Sequence, residues 1–517
     1  MTEMRGRVAG NSVLICALCA VFLGAVDLTV ISTVLPSIVI DLQINTADID
    51  RYIWVVNAYL LAYIVAIPVL GRASDLFGRR ASFLGALALF VAGSLWSGFS
   101  SSLGELIAAR ALQGAGGGAL LPVTMALVAD MTTERKRITT LGLVGAVDTL
   151  GWVLGPLWGA AVVAVMGNAH DAWRWVFWIN APLGAVVAIF IFFQTRDLPA
   201  SVAAKSGQRL DLIGAFLLGA ALLLLNLGLS SGGEAGVQTG SAFRALGGTS
   251  NPLADYLPWL LSGGVIFGIG FVLWQRRSRS PILPPELFRN RIFTASQIAN
   301  FLVGAALITT MVDVPLSVAL LADESDVGAV SALLFAPFTL LMAAGALMGG
   351  QLAVARGIRW TSIAGLVQVI AGYICIWLAL RNEAYLWMIP GLALAGSGFG
   401  LVIAPIGAAA IDEAPDDDRG VAAASTILFR LLGMMLALSA LTSFGIHRLQ
   451  SLSNRVEPIV RNEDESTAEF FIRQTQFIQD VAIPLSVQVV RETFLLAAII
   501  AALAVIPVYF LAHAKEN

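Results

Sequence analysis

Apolar runs of about 20 residues recur along nearly the whole chain, each the length an α-helix needs to cross the hydrocarbon of a bilayer. A backbone N–H or C=O facing hydrocarbon has no partner there, so each segment must close its hydrogen bonds within itself, as a helix does. Hydrophobic residues make up 58% of the 517 and charged residues 13%, with a mean hydropathy of +0.82, which excludes a surface mostly in contact with water. An all-α integral membrane protein is expected. Fourteen spans are predicted, near 12–36, 52–71, 81–100, 104–129, 138–166, 173–193, 211–229, 257–275, 292–321, 328–353, 358–380, 385–411, 420–445 and 488–512. The first follows Arg5 and Arg7 as a signal peptide would, but it runs past Asp27 to Pro36 without a small-residue cleavage site and reads as a retained helix.

With the N-terminus inside, the inner segments collect 20 of the 31 Lys and Arg, among them Arg79, Arg80, Lys136, Arg137, Arg276, Arg277 and Arg359. Five of the nine in outer segments belong to the long loop before the last span, which the positive-inside rule weights least. Both termini are therefore expected in the cytoplasm, with the chain in the cytoplasmic membrane. The net charge of −3 argues against a nucleic-acid partner. Cys16, Cys19 and Cys375 lie inside apolar runs, and His170, His447 and His513 are far apart, so neither a redox pair nor a metal site is expected.

Between the second and third runs lies Gly71-Arg72-Ala73-Ser74-Asp75-Leu76-Phe77-Gly78-Arg79-Arg80. Its two glycines permit a sharp turn at the bilayer surface, Asp75 can accept hydrogen bonds from a helix N-terminus or an arginine, and Arg79 and Arg80 hold the loop inside. The pattern resembles the loop signature of the major facilitator superfamily. Gly350, Gly357 and Arg359 repeat its spacing, with Val354 in place of Asp75 and Ile358 in place of Arg79, which supports two related halves. Between them an inserted helix pair, joined by the Gly- and Ser-rich stretch 230–251, gives a six, two and six arrangement like that of the fourteen-helix drug:proton antiporter branch. The expected domains are an N-terminal bundle 1–200, an insert 201–290, and a C-terminal bundle 291–517 with an outer loop 446–487. Three more stretches resemble that branch: Gly24 to Val30 with Leu35-Pro36; Arg110-Ala111-Leu112-Gln113-Gly114; and Trp173 to Asn180. A fourth is the glycine series Gly145, Gly151, Gly155-Pro156 and Gly159. On a helix Gly151, Gly155 and Gly159 form a smooth stripe open to a neighbouring backbone, and Pro156 would bend it.

Ionisable residues inside spans carry the functional signal, because each costs about 2.5 to 3.5 kcal/mol at the centre of a membrane helix. The candidates are Asp27, Arg110, Asp148 and Arg430. Asp148 lies eleven residues beyond Arg137 and Arg430 eleven beyond Arg419, so both sit about 16 Å in from the cytoplasmic face. Asp27 is within reach of both. A carboxylate facing an arginine here would act as a proton-operated latch between the halves, with a static pair as the plain alternative. Arg110, about five residues from the outer end of its span, could snorkel. Asp313 in Val312-Asp313-Val314-Pro315 is near the far interface, with no role assigned.

Together with the loop, the Val176 to Asn180 run, the Val312 to Val314 triplet and Arg430, these residues resemble the mycobacterial-type multidrug and triacylglyceride efflux permeases. The resemblance implies a protonation switch of Asp148, Asp27 and Arg430, with Arg110 beside it. It also implies export of amphipathic or lipid-like molecules, drugs or triacylglycerides, driven by a proton gradient without a cofactor. The chain departs in having Asp where those relatives carry Glu, and a short connection at Leu380 to Ala384 where they have long outer extensions. The expectation is a non-enzymatic, monomeric transporter with membrane lipid and an amphipathic or lipid substrate as its partners, and an outer lipoprotein or adaptor as a candidate partner. A nutrient or peptide symporter and a non-transporting scaffold are the alternatives. Residues 466–480, with Phe470, Phe471, Phe477 and Ile478 on one side, are expected to form an amphipathic helix along the outer leaflet.

Overall fold

The computed structural model describes residues 2–43, 54–131, 134–167, 171–194, 211–231, 254–278, 281–322, 327–380, 385–415, 419–456 and 466–511. The N-terminal half comprises α1 (Thr2–Asp41), α2 (Trp54–Phe77), α3 (Arg79–Phe99), α4 (Leu103–Met131), α5 (Glu134–Val165) and α6 (Arg174–Gln194). The insert is α7 (Leu212–Ser231) and α8 (Leu257–Gln275). The C-terminal half holds α9 (Arg291–Leu321), α10 (Val327–Arg356), α11 (Ile358–Ala379), α12 (Met388–Asp412) and α13 (Arg419–Ser453). It ends with α14 (Thr467–Phe477), which passes through a π-helical turn, Ile478–Ala482, into α15 (Ile483–Tyr509).

Each predicted span coincides with a helix. Among the described residues, 11 helices are long and apolar enough to cross a membrane on their own, and the bent α10 brings the number to 12. In α2 and α5 the described apolar stretches are Trp54–Ile67 and Leu154–Val165.

The loop motif folds differently from the expectation of a ten-residue hinge. Residues 71–77 continue α2, and the reversal falls on Gly78, at φ 91° and ψ 146°, a region essentially closed to residues with a Cβ. Gly357 does the same between α10 and α11, at φ 86° and ψ 150°. The repeat reaches past the glycines. Arg80 donates to the Phe192 carbonyl at 2.9 Å and covers the Phe192 ring near the end of α6. Arg359 donates to the Leu511 carbonyl at 3.0 Å and covers the Tyr509 ring at the end of α15. In each half this arginine ties the turn to the half's last helix. Arg79 donates to Ser74 at 2.7 Å, while the Asp75 side chain lies outside the described residues.

The halves meet where α5 packs on α10 and α2 on α13, and α7 rests against both α2 and α13. There Asn57 of α2, fully buried, donates to Asn226 of α7 at 3.3 Å and to Ser439 of α13 at 3.2 Å. The segment expected as an outer loop is largely helical: α13 runs on to Ser453, and residues 467–487 are continuous with the last span. A Ser466–Glu469 capping box starts that helix. Glu469–Tyr509 forms one helix of 41 residues, about 60 Å long and so longer than one crossing needs, which makes 466–480 continuous with the last span rather than a separate helix.

Candidate functional site

The glycine stripe of α5 sets the first contact. A Cβ on Gly151 would strike Ala25, one on Gly155 would strike Thr29 and the Val26 carbonyl, and one on Gly159 would strike Thr33 and Val30. All five contacts are on α1, so the stripe brings α1 and α5 backbone to backbone. Pro156 has no N–H to give the Trp152 carbonyl one turn earlier. Thr29 of α1 supplies the missing bond, its hydroxyl donating to that carbonyl at 2.9 Å.

On this frame the four predicted ionisable residues sort into two groups rather than one. Asp27 of α1 pairs with Arg110 of α4 at 2.5 Å, with both side chains almost wholly buried. Arg110 does not snorkel. It also donates to Gln113 at 2.8 Å and to the carbonyls of Asp27 and Val55, and its guanidinium lies 4.1 Å from the centre of the Tyr59 ring. The second Asp27 oxygen accepts from Asn180 of α6 at 3.1 Å. Asn180 in turn donates to Ser94 of α3, which donates to the Phe177 carbonyl. Five helices of the N-terminal half thus supply one network, and nearly every donor in it is used, as a buried charge requires.

Asp148 and Arg430 form the other group, across the two halves. They are not in direct ion-pair contact. Trp152 stands between them, one helical turn from Asp148 on α5, and Arg430 of α13 lies 4.7 Å from the centre of its ring. Asp148 is 3% and Arg430 5% exposed. Asp148 Oδ1, Trp152 Nε1 and Arg430 Nε have no hydrogen-bond partner among the described residues. Three polar atoms are thus left open in this group, whereas in the Asp27 network both carboxylate oxygens are bonded and Gln113 Nε2 is left over. Tyr59 and Tyr63 of α2, rings 5.7 Å apart, stand between the groups: Tyr59 touches the Asp27 side and Tyr63 lies within electrostatic reach of Asp148 and Arg430.

In the sequence Gln113 and Asn180 figure only as members of motifs, and Trp152, Tyr59 and Ser94 not at all. A polar residue inside an apolar run was the available signal for the amides and the serine; nothing in the sequence distinguishes Trp152 from any other span tryptophan. Trp173 and Arg174, from the same motif as Asn180, hold Asp41 at 3.0 and 2.9 Å and fasten the far end of α1 to α6.

Comparison with known proteins agrees with this architecture. The Major Facilitator Superfamily profile matches residues 17–438. The triacylglyceride transporter of Mycolicibacterium hassiacum is 36% identical over 440 residues, covering 83% of this chain and 78% of the relative. That of Mycobacterium tuberculosis H37Rv is 36% identical over 447 residues, covering 84% and 82%. In fold, the chain is similar to a bacterial homolog of the human lysosomal transporter Spinster, inward-facing and occupied, with a TM-score of 0.63 at 14% identity over 98% of each chain. It is also similar to a D-xylose–proton symporter, with a TM-score of 0.62 at 14% identity over 98% of each. These relatives are multi-pass membrane transporters and not enzymes. By profile, by relatives and by fold, the chain belongs to the Major Facilitator Superfamily.

Proposed function

We propose that the chain exports amphipathic or lipid-like molecules, of the triacylglyceride or drug type, across the cytoplasmic membrane in exchange for protons. Both termini are then cytoplasmic, so the Gly78 and Gly357 turns lie on the inner face. The observation that carries the reading is the Asp148, Trp152 and Arg430 group at the junction of the halves. At 4 Å and an effective dielectric of about 20, opposite charges attract by about 4 kcal/mol, and at the greater separation here by less. Protonating Asp148 removes that attraction. A change of this size shifts the balance between two conformations by up to about a thousandfold, since each 1.4 kcal/mol is a factor of ten. Carboxylate burial of this kind has no use in a static scaffold. Cargo of lipid type is supported by relatives whose names specify triacylglycerides.

The test is Asp148→Asn, which fixes the neutral form at constant shape. In liposomes with an imposed proton gradient, the variant should remain folded and lose gradient-driven export of a fluorescent triacylglyceride analogue. Wild-type export by the variant would remove Asp148 from the mechanism. A lipid comparison of membranes and outer-envelope extracts, with and without the protein, identifies the cargo.

A further inference from the structure

Asp313, on α9, takes no part in either charge group. It is 22 residues beyond Arg291, about 33 Å along the helix, and so lies toward the face opposite the Gly78 turn. Its carboxyl oxygen Oδ2 is 2.5 Å from the Thr493 hydroxyl of α15. The same hydroxyl is 2.7 Å from the Val490 carbonyl, one turn earlier on its own helix. A threonine hydroxyl has one proton to give, and a carbonyl can only accept. If Asp313 were a carboxylate, two acceptors would have to share one hydrogen in a three-centre bond, which is weaker to each than a bond of its own. A proton on Asp313 resolves this: Asp313 donates to Thr493, and Thr493 donates to Val490.

No cation offsets a charge at this position, because among the described residues no ion pair includes Asp313. Several charged groups on the helices packed against α9 have partners of their own or close a helix at the opposite face. On α15, Arg491 donates to the Trp377 carbonyl at 3.1 Å, and Glu492 holds Arg448 of α13 through two bonds of 2.7 and 2.9 Å. On α13, Arg430 faces Trp152. On α1, Asp27 and Asp41 are paired with Arg110 and Arg174. Arg356 and Asp412 close α10 and α12 at the Gly78 face. Tyr373 of α11 is bound to Thr310 and to the Ala306 carbonyl. Two residues on, Pro315 has no N–H for the Met311 carbonyl, so α9 can bend beside the acid.

We propose that Asp313 is a second proton-binding site, in the C-terminal half and toward the outer face, and that it carries its proton in this conformation. Its occupancy stands on the geometry; its use in transport, taking up a proton from outside as α9 bends, rests on the proton-coupled reading above.

The test is infrared spectroscopy of the purified full chain in lipid nanodiscs at neutral pH. The wild-type minus Asp313→Asn difference should contain the C=O stretch of a protonated carboxyl, and Thr493→Val should shift that stretch because its acceptor is gone. Loss of carboxylate bands instead overturns the proposal, as does a stretch unmoved in Thr493→Val, a variant that also decides the matter should Asp313→Asn fail to fold. In liposomes, Asp313→Asn should lose gradient-driven export of the triacylglyceride analogue yet keep its exchange without a gradient. Undiminished driven export overturns the transport role. If the wild type shows no driven export, the function proposed above fails, while the infrared result still decides whether Asp313 holds a proton.

Discussion

Replacing Arg110 with methionine, of similar length and without charge, tests whether the Asp27 network is held by charge or by packing. The substitution removes donations to Asp27, Gln113 and two carbonyls and leaves the Asp27 carboxylate with Asn180 alone. Removing one partner of a buried pair costs about 3 to 5 kcal/mol, because the other charge stays buried without compensation. Asp27→Asn removes that second charge. In the double variant no ion remains, the two amides at Gln113 and Asn180 can serve Asn at position 27, and most of the loss should return. Because each single variant leaves one charge unpaired, the expected coupling is about 3 kcal/mol, the top of the range for residues in one network. The assay is equilibrium unfolding of all four proteins in the same detergent, read by tryptophan fluorescence. A double variant no more stable than Arg110→Met would refute the charge argument and assign the loss to the stacking of Arg110 on Tyr59 and Phe177.

Gly155→Val should destabilise by at least about 1 to 3 kcal/mol, the usual range for overpacking, since its Cβ meets Thr29 and the Val26 carbonyl with nowhere to move. Unfolding midpoints of Gly155→Val and of Gly145→Val, whose Cβ meets nothing within 4 Å, should differ accordingly. Gly78→Ala forces a Cβ residue into φ 91° and should cost about 1 to 3 kcal/mol, with Gly357→Ala alike; equal stability of both to wild type would deny the strain. Arg80→Ala should loosen the end of α6 beside the Gly78 turn and raise amide exchange around Phe192, measurable by mass spectrometry, and an unchanged exchange pattern there would deny that the arginine holds it.

The apolar helices and the Gly78 and Gly357 repeat were legible in the sequence, because hydrocarbon admits only closed helices and an apolar run of the right length marks one. The presence of Asp27, Arg110, Asp148 and Arg430 was legible too, since any ionisable residue in such a run stands out. Their pairing was not. Spans such as α1, α4 and α5 are apolar nearly all round, so hydropathy marks where a helix lies and says nothing of which face meets which neighbour. That was decided by the approach of α1 to the α5 glycines and by the rotation of α4, which together turn Asp27 to Arg110 and leave Asp148 for Trp152 and Arg430. The same holds beyond the site: hydrophobic patterning of 466–480 fitted a surface helix, and only the unbroken backbone through the π-helical turn made it the start of the last span. Sequence determined that charges would be buried in lipid; tertiary packing, which alone fixes distance and orientation between helices, decided which of them close on each other and which stay open between the halves.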